Sequence, residues 1–360
     1  MIFEPKWIAW EITRECNLSC VHCRSSACTG QFRDLDFSTE EGFAVIDKIA
    51  AVSKPCLVLS GGEPLLRHDI FELAHYGTQK GLRMALATNG TLVDDSICIK
   101  IKNAVIKIVS LSLDGSLAET HDSFRKQQGA FDATIMAARL FKKHHIPFII
   151  NSSFTQQNHH EIKSTYQLAK QLQANAWYMF MVVPTGRGQD LMNELLHDEK
   201  YDAALDWHYD MESHEHDILV RPTCAPHYYR VRFEKNKASG LNTRSRGLSF
   251  SSGGSKGCIA GQSILTIDVK GNVHPCSYLP LNAGNIFKSS LQDIWQNSTI
   301  FKNLRDFKQY KGKCGHCEYT KICGGCRARA HFMKGDYMAE EPLCNYMPKR
   351  LHGETHTRLT

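Results

Sequence analysis

The chain has 360 residues, 42% hydrophobic and 22% charged, enough for a catalytic domain with a smaller appended one, and no apolar run is long enough to cross a bilayer. Its formal charge of +6 is not gathered into one basic block, which argues against a nucleic-acid footprint. Fourteen cysteines at short spacings follow an opening, Met1-Ile2-Phe3-Glu4-Pro5-Lys6, without the form of a signal peptide, so metal binding in the cytoplasm is expected rather than disulfides.

The first predicted strand, Trp7–Thr13, runs into Cys16-Asn17-Leu18-Ser19-Cys20-Val21-His22-Cys23. Three thiolates in one loop suit three irons of a four-iron cluster and leave the fourth iron open for chemistry. A zinc site completed by His22 or Cys28 is the competing reading. A helix is predicted over Ser38–Val52, with Ser38 and Glu41 as a capping box. The strand Cys56–Ser60 then leads into Gly61-Gly62-Glu63-Pro64, where paired glycines admit a close backbone approach and the acid suits an ammonium group. Next come a helix at Asp69–Lys80, a strand at Met84–Thr88 ending in Asn89-Gly90, and a helix at Asp94–Asn103. The strand Lys107–Leu113 carries Ser112 and ends at Asp114-Gly115. Helices at Ala130–His145 and His160–Gln173 alternate with strands at Pro147–Phe154 and Trp177–Val183. Six strands alternating with helices predict an α/β fold, a partial (β/α)6 barrel whose working loops lie at the carboxyl ends of the strands. Every motif above falls there.

The barrel is expected to occupy 1–233, with a polar Ser/Gly/Lys/Arg-rich link at 234–257, a cysteine-rich module at 258–348 and a frayed tail at 349–360. The module reads Cys258, then Gly271-Asn272-Val273-His274-Pro275-Cys276, then Cys314, Cys317, Cys323 and Cys326, and finally Cys344. Its paired C-x2-C steps also imitate a zinc ribbon. Cys28, Cys56 and Cys98 stand outside both arrays and read as buried or inert thiols.

Cys16, Cys20 and Cys23, followed by Gly61–Pro64, Asn89, Ser112 and Asp114 on consecutive strand ends, resemble the radical S-adenosylmethionine (SAM) superfamily. The resemblance implies a [4Fe-4S] cluster on the three cysteines and SAM held by Gly61, Gly62, Glu63, Pro64, Asn89, Ser112 and Asp114. His22 departs from the usual aromatic residue. The C-terminal cysteines resemble the SPASM auxiliary-cluster domain, implying one [4Fe-4S] cluster on Cys314, Cys317, Cys323 and Cys344. A second would sit on Cys258, Cys276 and Cys326, with Cys224 or an open iron position completing it.

Passages around Trp177–Gly188, Cys224–Arg230, Cys323–Ala330 and Gly335–Pro342 resemble the tetrapyrrole-modifying members, above all the heme-forming ones of the siroheme-dependent pathway. That resemblance implies oxidative decarboxylation of two propionates of iron-coproporphyrin III to vinyl groups, with ferredoxin or flavodoxin as electron donor. A tetracarboxylate substrate with an iron centre calls for arginines and an axial ligand: Arg187, Arg221, Arg230, Arg327 and Arg329 are available, with His22 and His227 as axial candidates. The alternatives are removal of acetates from didecarboxysiroheme, a step of heme d1 formation, peptide maturation, and a zinc-binding interaction protein. Peptide maturation is disfavoured by the short segment before Cys16, and the zinc reading leaves the Gly61–Pro64 and Ser110–Gly115 rims without purpose.

Overall fold

The computed structural model describes residues 3–30, 36–240 and 256–351. Strands β1 (Trp7–Thr13), β2 (Cys56–Gly61), β3 (Arg83–Thr88), β4 (Ile108–Ser112), β5 (Phe148–Phe154), β6 (Ala176–Met181) and β7 (Leu219–Thr223) pair in parallel, each with the next. Between them run α1 (Thr39–Ala50), α2 (Ile70–Gln79), α3 (Asp95–Asn103), α4 (Ala118–Arg125), α5 (Ala130–Lys143), α6 (Ile162–Gln171) and α7 (Asp198–His214), with α8 (His227–Ser239) after β7. The capping box of α1 is present as predicted, Ser38 accepting from Glu41 N and Glu41 from Ser38 N. β7 adds a seventh strand to the six expected. Pro222 disqualifies that segment as a central strand, and in the described sheet β7 is an edge, where a missing N–H costs no ladder bond.

The cysteine-rich region contributes β8 (Ile264–Ile267), β9 (Asn272–His274) and β10 (Gly284–Asn285), followed by α9 (Leu291–Asn297), α10 (Thr299–Arg305), α11 (Gly312–His316) and α12 (Arg327–Lys334). β8 pairs in parallel with β1, so the barrel sheet continues without a break into this region in the order β10-β9-β8-β1-β2-β3-β4-β5-β6-β7. The predicted link at 234–257 is helical through Ser239, and its portion 241–255, like 352–360 of the predicted tail, lies outside the described residues.

Strand side chains alternate between faces, and here the alternation sets the site. On one face Leu57, Leu59, Leu86, Val109, Ile150 and Trp177 meet the helices in the main core. On the other, Cys56, Val58, Ala85, Ile108, Ile149, Ala176 and Leu219 form an apolar plug at the amino ends of the strands. Further along that inward face most residues turn small or polar: Ser60, Ala87, Ser112, Asn151 and Ser153 line an open cavity together with the ring of Phe180. The plug closes one end of the barrel and leaves the other open.

Candidate active site

The cavity holds about 860 Å³ of empty space, its open mouth included, within the range of small-molecule sites. Cys16, Cys20 and Cys23 all lie on its wall. Their loop crosses the carboxyl ends of β1 and β2 and is held by backbone contacts that side chains would obstruct. A Cβ on Gly61 would come within 2.1 Å of Thr13 O, and one on Gly62 within 2.1 Å of Glu15 O. Glycine is therefore required here for chain-to-chain contact as well as for approach of a ligand. On the opposite flank Arg187 donates from Nε to Cys20 O and from Nη1 to Ala27 O, both at 2.8 Å, while its own amide donates to Cys23 O at 2.9 Å. Cys28 closes the loop by accepting from Cys16 N at 3.2 Å.

The thiols fit an iron–sulfur cluster by their chemistry. Burial pushes Cys16 up to about 12 and raises Cys20, so thiolates there require a compensating positive charge, which iron provides. Each sulfur already has a polar neighbour: Leu18 N lies 3.4 Å from Cys16 Sγ, Arg125 Nη1 3.7 Å from Cys20 Sγ, and Ser25 Oγ 3.6 Å from Cys23 Sγ. Such contacts around cluster sulfurs tune both orientation and potential.

Of the expected SAM contacts, Gly61, Gly62, Asn89 and Ser112 line the cavity; Glu63, Pro64 and Asp114 stand behind it. The Glu63 carboxylate accepts from Thr88 Oγ1 and Asn89 N at 2.8 Å and from Leu65 N at 3.1 Å, and burial pushes its pKa up to about 7. It ties the end of β2 to the end of β3. Pro64, itself buried, opens a single turn of 3-10 helix. Asp114, fully buried, pairs with Arg125 at 2.6 Å, accepts from Ser153 N at 2.8 Å, and lies 3.5 Å from His22 Nε2. Asp114 thus positions Arg125 and His22, which do line the cavity. Asn151, Ser153, Phe180, Arg24 and Tyr278 also line it and were not singled out from sequence. Strand alternation was the available signal for the first three; Arg125 sits on α4, a short helix whose only apolar residues are Ala118 and Phe124.

The C-terminal cysteines separate into two groups. Cys314, Cys317, Cys323 and Cys344 line one recess, with Arg327 Nη2 3.5 Å and Glu341 N 3.3 Å from Cys314 Sγ. Cys224 and Cys276 pack against a buried cluster that includes Cys326, and burial together with negative charge on Cys326, Cys276 and Cys258 raises Cys224 well above the usual thiol range. Cys224 has φ 55° at the turn from β7 to α8, an uncommon conformation for a non-glycine residue. Tyr278, on the cavity wall, donates its amide to Cys276 Sγ at 3.3 Å and links the two regions.

Several substrate candidates take other roles. Arg187 clamps the cysteine loop, and Arg230 pairs with Glu234 at 2.6 Å and stacks over Tyr346 beside the Cys314 group. Arg327 and Arg329 are fully buried: the first donates to Tyr337 O and Ala339 O, the second pairs with Glu341 at 2.9 Å. Neither is open to an arriving carboxylate. His227 is 2% exposed, 3.9 Å from Glu341, and borders the Cys314 recess rather than the barrel cavity. His22 does face the cavity; burial pushes it down to about 4, which leaves a neutral imidazole whose Nδ1 has no partner. Among the described residues no three His, Cys, Asp or Glu side chains converge as ligands of a single metal ion, and no helix is long and apolar enough to cross a membrane.

Comparison with known proteins agrees with this geometry. The profile of the Radical SAM superfamily matches residues 10–169 and that of the SPASM iron–sulfur cluster-binding domain matches 258–326. The chain belongs to the radical SAM superfamily, in its SPASM-bearing branch. Among its relatives, the AdoMet-dependent heme synthase of Methanosarcina barkeri is 44% identical over 96% of this chain and 97% of that protein. The AdoMet-dependent heme synthase of Nitratidesulfovibrio vulgaris is 39% identical over 96% and 94%. In fold the chain is similar to Streptococcus suis SuiB bound to the precursor peptide SuiA, with a TM-score of 0.75, 16% identity, and coverage of 96% of this chain and 77% of that one. It is also similar to anSMEcpe with bound AdoMet, with a TM-score of 0.64, 22% identity and 90% coverage of both.

Proposed function

We propose that this protein forms heme b by oxidative decarboxylation of two propionate side chains of iron-coproporphyrin III. Full-length similarity to the AdoMet-dependent heme synthases carries this reading. When bound, the three-cysteine cluster and SAM supply a 5′-deoxyadenosyl radical that abstracts hydrogen from carbon, and auxiliary clusters supply an electron acceptor.

The protein's own residues have separable tasks. Cys16, Cys20 and Cys23 hold the SAM cluster, while Arg187, Gly61 and Gly62 fix their loop. Asn89, Ser112, Asn151 and Ser153 offer hydrogen bonds to SAM. Glu63 and Asp114 hold those groups and Arg125 in place from behind. Cys314, Cys317, Cys323 and Cys344 are assigned one auxiliary cluster. Cys224, Cys258, Cys276 and Cys326 are assigned another, with Cys224 rather than an open position as the fourth ligand. Ferredoxin or flavodoxin is the proposed source of the initiating electron.

Substrate choice is tested by offering anaerobically reconstituted protein SAM, reductant and either iron-coproporphyrin III or didecarboxysiroheme, then weighing the products. Loss of carbon dioxide and two hydrogens from each of two side chains of the first, with the second unchanged, is expected. Acetate removal from the second in place of that reaction would assign the protein to the earlier step.

A further inference from the structure

Arg187, Arg230, Arg327 and Arg329 all bond to the protein itself, and on the cavity wall Arg24 pairs with Glu11 and Arg125 with Asp114, so the carboxylates of the proposed substrate call for another partner. The strand register supplies one. On β5, β6 and β7, Asn151 aligns with Tyr178 and Tyr178 with Arg221, and one step further Ser153 aligns with Phe180 and Phe180 with Thr223. Asn151, Ser153 and Phe180 line the cavity, and Leu219 belongs to the inward plug, so alternation turns Arg221 and Thr223 inward too. The Arg221 guanidinium confirms this by lying 5.7 Å from the centre of the Tyr178 ring.

Arg221 Nη2, Thr223 Oγ1 and Asn151 Oδ1 are each buried without a hydrogen-bond partner. Glu212 is close enough to feel the charge of Arg221 but is itself engaged by the Tyr228 hydroxyl. A buried guanidinium nitrogen and a buried hydroxyl left unpaired are costly, and both are donors that an anion satisfies.

Building on the proposed function, we propose that Arg221 and Thr223 form a carboxylate-binding site that holds a propionate of the tetrapyrrole at the open edge of the barrel. The site is one residue from Cys224, so a substrate held there lies between the SAM cavity and the Cys224 group. Asn151 and Phe180 join it to that cavity.

Binding of iron-coproporphyrin III to the cluster-loaded protein without SAM, followed by the porphyrin absorption band, tests the site when compared with binding of the tetramethyl ester of the same porphyrin. Arg221→Met is expected to weaken binding of the acid roughly ten- to a hundredfold, the range for loss of a charge-assisted hydrogen bond, and to leave the ester unchanged. Thr223→Val is expected to weaken the acid less and also spare the ester. Should Arg221→Met fail to fold, Arg221→Lys, which keeps the charge but loses the fork, is expected to bind the acid several-fold more weakly, again with the ester unaffected. Unchanged acid affinity in the variants would overturn the site. Parallel loss of acid and ester would also overturn it, because a packing defect ignores the charge of the ligand. Failure of the unaltered protein to bind iron-coproporphyrin III would remove the proposed function, and the site with it, and is recognised because no variant is involved.

Discussion

At the scale of single residues, the cysteine triad and its arginine clamp make opposite predictions. Replacing Cys16, Cys20 and Cys23 together by alanine is expected to abolish 5′-deoxyadenosine formation in a chain that remains folded, since the loop serves the cluster; retained SAM cleavage would contradict the assignment. Arg187→Ala, by contrast, removes two charged hydrogen bonds to the loop carbonyls, each worth about 1.5 to 3 kcal/mol. It is expected to speed iron loss from the SAM cluster under chelator while porphyrin affinity is unchanged, and the reverse pattern would return Arg187 to the substrate. His208 contributes to acid stability alongside His22, His121 and His227, all of which burial holds below the usual histidine range. His208 is fully buried against Tyr228, neither ring nitrogen has a partner, and burial pushes its pKa down from 6.5 to about 3. The unfolded chain therefore binds the extra proton first as pH falls. The contribution of a neutral His208 is intact above pH 6.5 and is lost progressively as pH falls from 6.5 toward 3, amounting to about 2 kcal/mol at pH 5. In denaturant titrations His208→Phe is expected to lose less stability than the unaltered protein between pH 7 and pH 5; equal losses would show that this histidine does not control the window.

Among elements, the cysteine loop depends on neighbours that close around it. Gly62→Ala would drive a methyl group into Glu15 O and is expected to lower iron incorporation at this cluster sharply, as read by iron analysis of a variant lacking the C-terminal cluster cysteines. The six strands and the capped helix α1 were legible in sequence because short β-branched runs and the Ser38/Glu41 pair act locally. The closeness of the cysteines was legible because short spacings such as those of Cys16, Cys20 and Cys23 keep the thiols on one wall. β7 was not: Pro222 and Arg221 break the pattern of a strand, and only its edge position makes both acceptable. The roles of Asp114 and Arg125 were hidden for a related reason. Asp114 sits on a strand end where a ligand contact is expected, yet its partners come from α4, β5 and the cysteine loop, a convergence that spacing along the chain does not encode. The structural bonds of Arg187, Arg327 and Arg329 were hidden in the same way, because a guanidinium suited to a substrate carboxylate is equally suited to backbone carbonyls and to Glu341.

For the whole molecule, the continuous sheet from β10 to β7 places SAM-cavity residues and auxiliary cysteines on one framework, with Tyr278 common to both. The proposed set of three four-iron clusters predicts about twelve irons per fully loaded chain, whereas stoichiometric zinc with a single cluster would make the C-terminal region a ribbon. Each vinyl group formed also requires the protein to take up one electron. Cys276→Ala is accordingly expected to retain SAM cleavage with substrate present but to yield little vinyl product, and full vinyl yield without that cluster would make its role structural. The proposed reaction is defined by where hydrogen is taken and what leaves. The most direct measurement follows iron-coproporphyrin III deuterated at the β-carbon of its propionates through to heme b and 5′-deoxyadenosine by mass spectrometry. The expected result is one deuterium in 5′-deoxyadenosine for each vinyl group formed, with heme b as the final product. Unlabelled 5′-deoxyadenosine, or SAM cleavage that leaves all four propionates intact, would contradict it.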